Sequence, residues 1–272
     1  MPVRKDDSGR RWVEMEFLVP GTPEQVWDAI ATGPGMGAWF TEASVDEFVG
    51  GTVTFHFGDG VTSSGPVTAW EPPFRFGYEE VGWSGEAPPV ATEVVVTSRS
   101  GDQCVVRMVH SLFTDRDDWD DELESFEGGW PVFFSVLRLY LRHFGGRPAA
   151  PVRVMAPCGT DAGRAWADLT AALNLAGANV GERRAAPPGA PALGGDVELI
   201  HQDLENRYLV MRLDEPAAGI AVIGVHCMPG AETASISLFL YGDDTADDLP
   251  GVAAGQKRTW EAWLPNCVQS LT

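Results

Sequence analysis

Residues 119–146 read WDDELESFEGGWPVFFSVLRLYLRHFGG. The apolar members are Trp119, Leu123, Phe126, Trp130, Phe133, Phe134, Leu137, Leu141 and Phe144. Their steps of four and three trace one face of an α-helix. Asp117, Asp118, Asp120, Asp121 and Glu122 crowd the start, whereas Arg138, Arg142 and His143 lie near the end. Both biases oppose the helix dipole and stabilise the segment. Gly145 and Gly146 stop it, with Pro148 beyond. At about 1.5 Å per residue the helix spans roughly 39 Å, enough to cross a whole sheet. Gly128-Gly129-Trp130-Pro131 interrupts it, and a kink or short break is expected there.

Upstream, the period changes from helix to strand. Arg11 to Val19 alternates, and Pro20-Gly21 ends it. Thr22 is an N-cap, Pro23 takes the first helical position and Glu24-Gln25 follow, so a short helix carries Val26, Trp27, Ala29 and Ile30. Gly33-Pro34-Gly35 breaks it, and a segment with Met36, Trp39 and Phe40 leads on. Six strands are then expected: 44–49, 52–57, 61–70, 75–80, 91–100 and 103–113, the last two joined by a tight turn at Gly101-Asp102. Strand, helix, a run of hairpins and one long helix predict an antiparallel sheet whose apolar face the long helix covers.

Gly145-Gly146-Arg147-Pro148-Ala149-Ala150-Pro151 reads as a linker, dividing the chain into domains at 1–146 and 151–272. The second half repeats the same order in reduced form: a strand at 152–156, a helix capped at Thr160-Asp161 with Trp166, Leu169 and Leu173, strands at 197–203, 207–213, 219–227 and 233–241, and a final helix at 246–271, broken near Pro250-Gly251. Local matches support a duplication. Trp27 follows Thr22 as Trp166 follows Thr160. Asp118 and Trp130 are twelve residues apart, and so are Asp248 and Trp260.

The net charge of −20, from 39 acidic and 19 basic residues, disfavours nucleic acid and anionic membrane surfaces as partners. No leader segment and no apolar run of the ~18 residues a membrane span needs is read, so a cytoplasmic location is expected. The four cysteines form no CxxC pair and are expected to be reduced. Cys158, just before a predicted helix, is the thiol a helix start would best activate, although an ordinary loop thiol is the favoured reading. His56, His110, His143, His201 and His226 make no HxxxH or HExxH pattern, and the acidic run 115–122 lacks the EF-hand spacing. No metal and no cofactor is expected. Nucleophile-elbow, phosphate-loop and dinucleotide fingerprints are missing, and the reading leans away from an enzyme.

One stretch carries a family likeness: Val19-Pro20-Gly21-Thr22-Pro23-Glu24-Gln25-Val26-Trp27, then Trp39, Gly50-Gly51, Gly65, Trp70-Glu71-Pro72 and Gly129-Trp130. Over residues 11–144 this resembles the START-like (SRPBCC, helix-grip) superfamily and, within it, the Aha family named after activators of the large heat-shock chaperone's ATPase. The resemblance implies an α+β fold with a curved antiparallel sheet wrapped around the long C-terminal helix, here duplicated with a reduced second copy.

It also implies a cavity between sheet and helix, and strand parity selects the residues facing it. Phe55 and Phe57 share a face, as do Phe76, Tyr78 and Glu80, and as do Met108 and His110; Phe126, Trp130 and Phe133 come from the helix. These are the expected ligand-binding residues, with Tyr78, Glu80 and His110 as polar points. A filled aromatic core explains the same pattern. The implied function is non-enzymatic binding of a small apolar or amphipathic molecule. The alternatives are a co-chaperone-like protein partner, or polyketide aromatase/cyclase-type chemistry through His110, Tyr78 or Glu80.

Overall fold

The computed structural model describes residues 3–58, 60–81, 88–114, 119–203, 206–228, 231–242 and 248–269, with backbone alone at 120–122, 124–128, 227, 228 and 231. Two compact units emerge, Met1–Gly146 and Arg147–Thr272.

The first unit begins with β1 (Arg4–Lys5) and β2 (Arg10–Pro20). Gly21, at φ 116°, turns the chain out of β2. A capping box then starts α1 (Pro23–Ala31): the Gln25 N–H donates to Thr22 Oγ1 at 3.4 Å, and the Thr22 N–H donates to Gln25 Oε1 at 2.9 Å. Thr32 opens α2 (Gly33–Gly37) by accepting from the Gly35 N–H at 3.1 Å. Six strands follow: β3 (Glu42–Val45), β4 (Thr52–Gly58), β5 (Val61–Glu71), β6 (Arg75–Glu80), β7 (Val90–Arg99) and β8 (Gln103–Phe113). Helix α3 (Asp120–His143) closes the unit.

These strands form one eight-stranded antiparallel sheet in the order β1-β2-β8-β7-β6-β5-β4-β3. The hairpins give a meander, and β2 returns to pair with β8 along its whole length, Arg10 with Phe113 through Pro20 with Gln103. Gly101 and Asp102 both take positive φ, 79° and 51°, in the turn from β7 to β8.

Helix α3 crosses the inner face. Phe134 stacks on Phe17 of β2 at 3.7 Å and 10°, and the Arg138 Nε–H donates to the Leu18 carbonyl at 3.3 Å. Leu123, Val136 and Leu137 are fully buried. The short break expected at Gly128–Pro131 does not occur, and α3 runs unbroken through Pro131. Tertiary burial of Trp130, Phe134 and Leu137 outweighs the local cost of glycine and proline. The expected strand 44–49 also ends early, at Val45. Asp46 Oδ2 accepts from the Thr52 N–H at 2.9 Å, closing a turn that leaves Phe48 and Val49 exposed.

The second unit comprises β9 (Ala149–Pro157), α4 (Ala162–Ala172), β10 (Arg183–Ala185), β11 (Gly194–Gln202), β12 (Asn206–Glu215), β13 (Gly219–Met228), β14 (Ala231–Tyr241) and α5 (Leu249–Val268). Its six-stranded sheet has the order β10-β11-β12-β13-β14-β9. Strand β9 pairs with β14 as β2 pairs with β8, so the unit repeats the first in abbreviated form. The matched tryptophans occupy matched elements: Trp27 in α1 and Trp166 in α4, Trp130 in α3 and Trp260 in α5, all buried. Helix α5 shows no break. Pro250 lies in its first turn, where a missing N–H loses no helical bond, and residue 246 lies outside the described residues. Trp260, Leu264, Leu169 and Leu173 fill the space over the sheet with Ile223 and Ile236. The chain is thus an α+β protein with two helix-grip units.

Candidate functional site

The register of the first sheet places three polar side chains in one row. Tyr78 of β6 pairs with Thr92 of β7, and Thr92 pairs with His110 of β8. Side chains opposite one another on one face lie within reach. Thr92 Oγ1 is 2.9 Å from His110 Nδ1, and Tyr78 shares a hydrogen bond with Thr92. All three are buried. Two residues beyond Tyr78, on the same face of β6, Glu80 accepts from the Ser63 hydroxyl of β5 at 2.6 Å.

Over this row α3 lays Trp130. The His110 ring stacks on it with centroids 5.6 Å apart and planes 19° apart. Trp130 also meets Phe40 at 4.8 Å, while Phe40 meets Phe133 at 4.9 Å, nearly perpendicular. Phe40 follows α2, whose seating is fixed by the Trp39 indole N–H donating to the Ala29 carbonyl at 2.8 Å.

Between these walls lies a cavity of about 200 Å³, lined by Phe40, Phe55, Phe57, Tyr78, Glu80, His110, Gly129, Trp130 and Phe133. Of the residues expected from sequence, Phe55, Phe57, Tyr78, Glu80, His110, Trp130 and Phe133 are therefore brought together. Phe76 and Met108 are not. Phe76 is buried among Trp27, Trp70 and Tyr78, and Met108 is buried between Met15 and Val94 of the neighbouring strands. Both share the expected face, and Phe76 is covered there by Trp27 of α1. The Phe126 side chain lies outside the described residues. Sequence reasoning missed Phe40, Gly129 and the partner Thr92. The pairing of Tyr78 and His110 with a common strand was the signal for Thr92.

Burial sets the charge state. It pushes His110 down to about 3, so the ring is neutral near neutral pH. It raises the Tyr78 phenol, helped by the charge of Glu80 and opposed by the Thr92 hydrogen bond. It also raises the Glu80 carboxyl against the opposing hydrogen bond from Ser63. Among the described residues no arginine or lysine lines the cavity. Its walls are aromatic, with three polar groups on the sheet side. Such a site can enclose an apolar body and orient a polar substituent.

Cys158 is not activated. It precedes α4 by several residues, Asp161 caps that helix, and burial pushes the thiol up. Among the described residues no group of three or more His, Cys, Asp or Glu side chains could hold a metal ion, and no helix is long and apolar enough to cross a membrane.

Residues 20–142 match the family described as activator of Hsp90 ATPase homolog 1-like protein. No curated protein matches the chain. Among solved structures, the di-domain ARO/CYC BexL from the BE-7585A biosynthetic pathway is 11% identical, with 96% of this chain and 100% of that one covered and a TM-score of 0.46. DynU16, from the dynemicin biosynthetic locus, is 18% identical over 93% and 95%, with a TM-score of 0.42. Aha1 from Colwellia psychrerythraea is 21% identical over 48% and 96%, with a TM-score of 0.41. The family match covers the first unit from the end of β2 to near the end of α3, and over that span the unit is similar to Aha1-like domains.

Proposed function

We propose that the first unit binds a small apolar or amphipathic molecule between its sheet and α3, without transforming it. The observation that carries this is the cavity itself, walled by Phe40, Phe55, Phe57, Trp130 and Phe133 and bearing Tyr78, Glu80 and His110. Its volume of about 200 Å³ suits a body of one or two rings, since apolar cavities of about 150 Å³ take benzene. Removing such a body from water favours binding by about 25 cal/mol per Å² of apolar surface buried.

A catalytic reading draws on the Tyr78–Thr92–His110 row. A general acid or base works best with a pKa near the working pH, and burial moves both His110 and Tyr78 away from it. Binding without chemistry therefore fits the row better.

Titration with 1-naphthol, read by tryptophan fluorescence, tests the proposal. Saturable quenching at a stoichiometry of one, with 1-naphthol recovered unchanged, is expected. Linear, unsaturable quenching would overturn it and move the weight to a protein partner.

A further inference from the structure

Two features of the cavity coincide. The first is a cluster of aromatic rings around Phe40. Phe40 stands at 89° to Phe133, 79° to Phe57 and 74° to Phe55, with centroids 4.9, 6.1 and 5.9 Å away. Trp130 and Tyr78 extend this wall. Aromatic faces carry negative electrostatic potential, so a ring that lines the cavity with its face attracts a cation there.

The second feature is Glu80, the one acidic residue in the lining among the described residues. One of its oxygens accepts from Ser63, a hydrogen bond that opposes the upward push of burial on its acidity. The other titratable lining groups, His110 and Tyr78, are neutral near neutral pH. Neighbouring Glu79 alternates to the opposite face of β6. A cationic ligand would supply the counter-charge that the ionised carboxyl needs, whereas an anion would be repelled by that form. The whole chain, at −20, attracts cations to its surface.

We propose that the ligand is an organic monocation, a quaternary or protonated ammonium on a small apolar body, held with its charge between Glu80 and the surrounding rings. The inference rests on ligand binding by the first unit and deepens it by naming the ligand class.

The test compares phenyltrimethylammonium with tert-butylbenzene, which has the same shape without the charge, by calorimetric titration of the full chain. The cation is expected to bind about tenfold or more tighter, the preference that ring and carboxylate contacts give a desolvated cation. Glu80→Gln keeps an oxygen to accept from Ser63. It is expected to bring the cation's affinity down to that of the isostere measured in the same variant. Equal affinities in the native protein, or a cation preference that survives Glu80→Gln, would overturn the inference and leave binding of apolar molecules standing. Failure of both probes to bind would overturn the inference together with the proposed function.

Discussion

The Ser63 hydroxyl donates to Glu80 at 2.6 Å, across from β5 to β6, and this one bond holds an acid in an otherwise aromatic cavity. Because burial raises the Glu80 carboxyl, the folded chain holds that proton to higher pH than the unfolded chain does. Stability is therefore lost as pH rises from the ordinary carboxylate range through the raised value, and the penalty vanishes below that range. Glu80→Gln should be more stable than the native protein at pH 7, with the difference closing toward pH 4. Urea unfolding at both values measures it.

His110 acts with the opposite sign. The unfolded chain protonates this histidine near 6.5, whereas the fold holds it neutral down to about 3. Between those values the unfolded state binds more protons, so stability falls with falling pH by up to about 1.4 kcal/mol per unit. Relative to His110→Gln, the native protein should lose about 2 to 3 kcal/mol between pH 6.5 and 4.5, read as the change in the difference between their unfolding free energies.

Trp130 joins the helix to the site, meeting Trp39, Phe40, Phe133, Phe134 and His110. Trp130→Ala should cost about 3 to 5 kcal/mol in chemical denaturation, and should also abolish probe binding at temperatures where the variant remains folded.

Much of the architecture was legible because its cues are local. The three- and four-residue steps of α3, the Thr22 capping box and the Gly101-Asp102 turn each act within one or two turns of chain. Parity placed Tyr78, Glu80 and His110 on the inner face, since alternation along a strand is a backbone property. Depth along that face was not legible. Phe76 and Met108 share the parity of their cavity-lining neighbours, yet neither lines the cavity, and Trp27 of α1 packs on Phe76 instead. Phe40 was missed as a lining residue because it enters from behind the five-residue helix α2, whose seating is a tertiary outcome. Thr92 emerged only with the register of β7 against β8. The expected breaks in α3 and α5 failed for two reasons: packing overrode propensity at Pro131, and Pro250 occupied a first turn.

Gly65 marks a close approach of β5 to β6. A Cβ at this position would collide with the Glu79 carbonyl oxygen, an atom of the backbone that no rotamer change can move. Gly65→Ala should destabilise by about 2 to 4 kcal/mol and disturb the Ser63–Glu80 pair on the same strands, seen as a lowered thermal midpoint.

Gly129 separates stability from binding. It lines the cavity, yet a Cβ there meets nothing within 4 Å. Leucine is the better helix former by up to about 1 kcal/mol, and its side chain would occupy the cavity. Gly129→Leu should unfold at equal or higher denaturant concentration while losing 1-naphthol binding.

Native mass spectrometry with added one- and two-ring probes tests the central claim most directly. The account predicts a one-to-one adduct with the native chain, absent after denaturation and absent in Gly129→Leu. A bare protein mass across the whole probe series, from a chain that is folded and free of any co-purifying molecule, would contradict it.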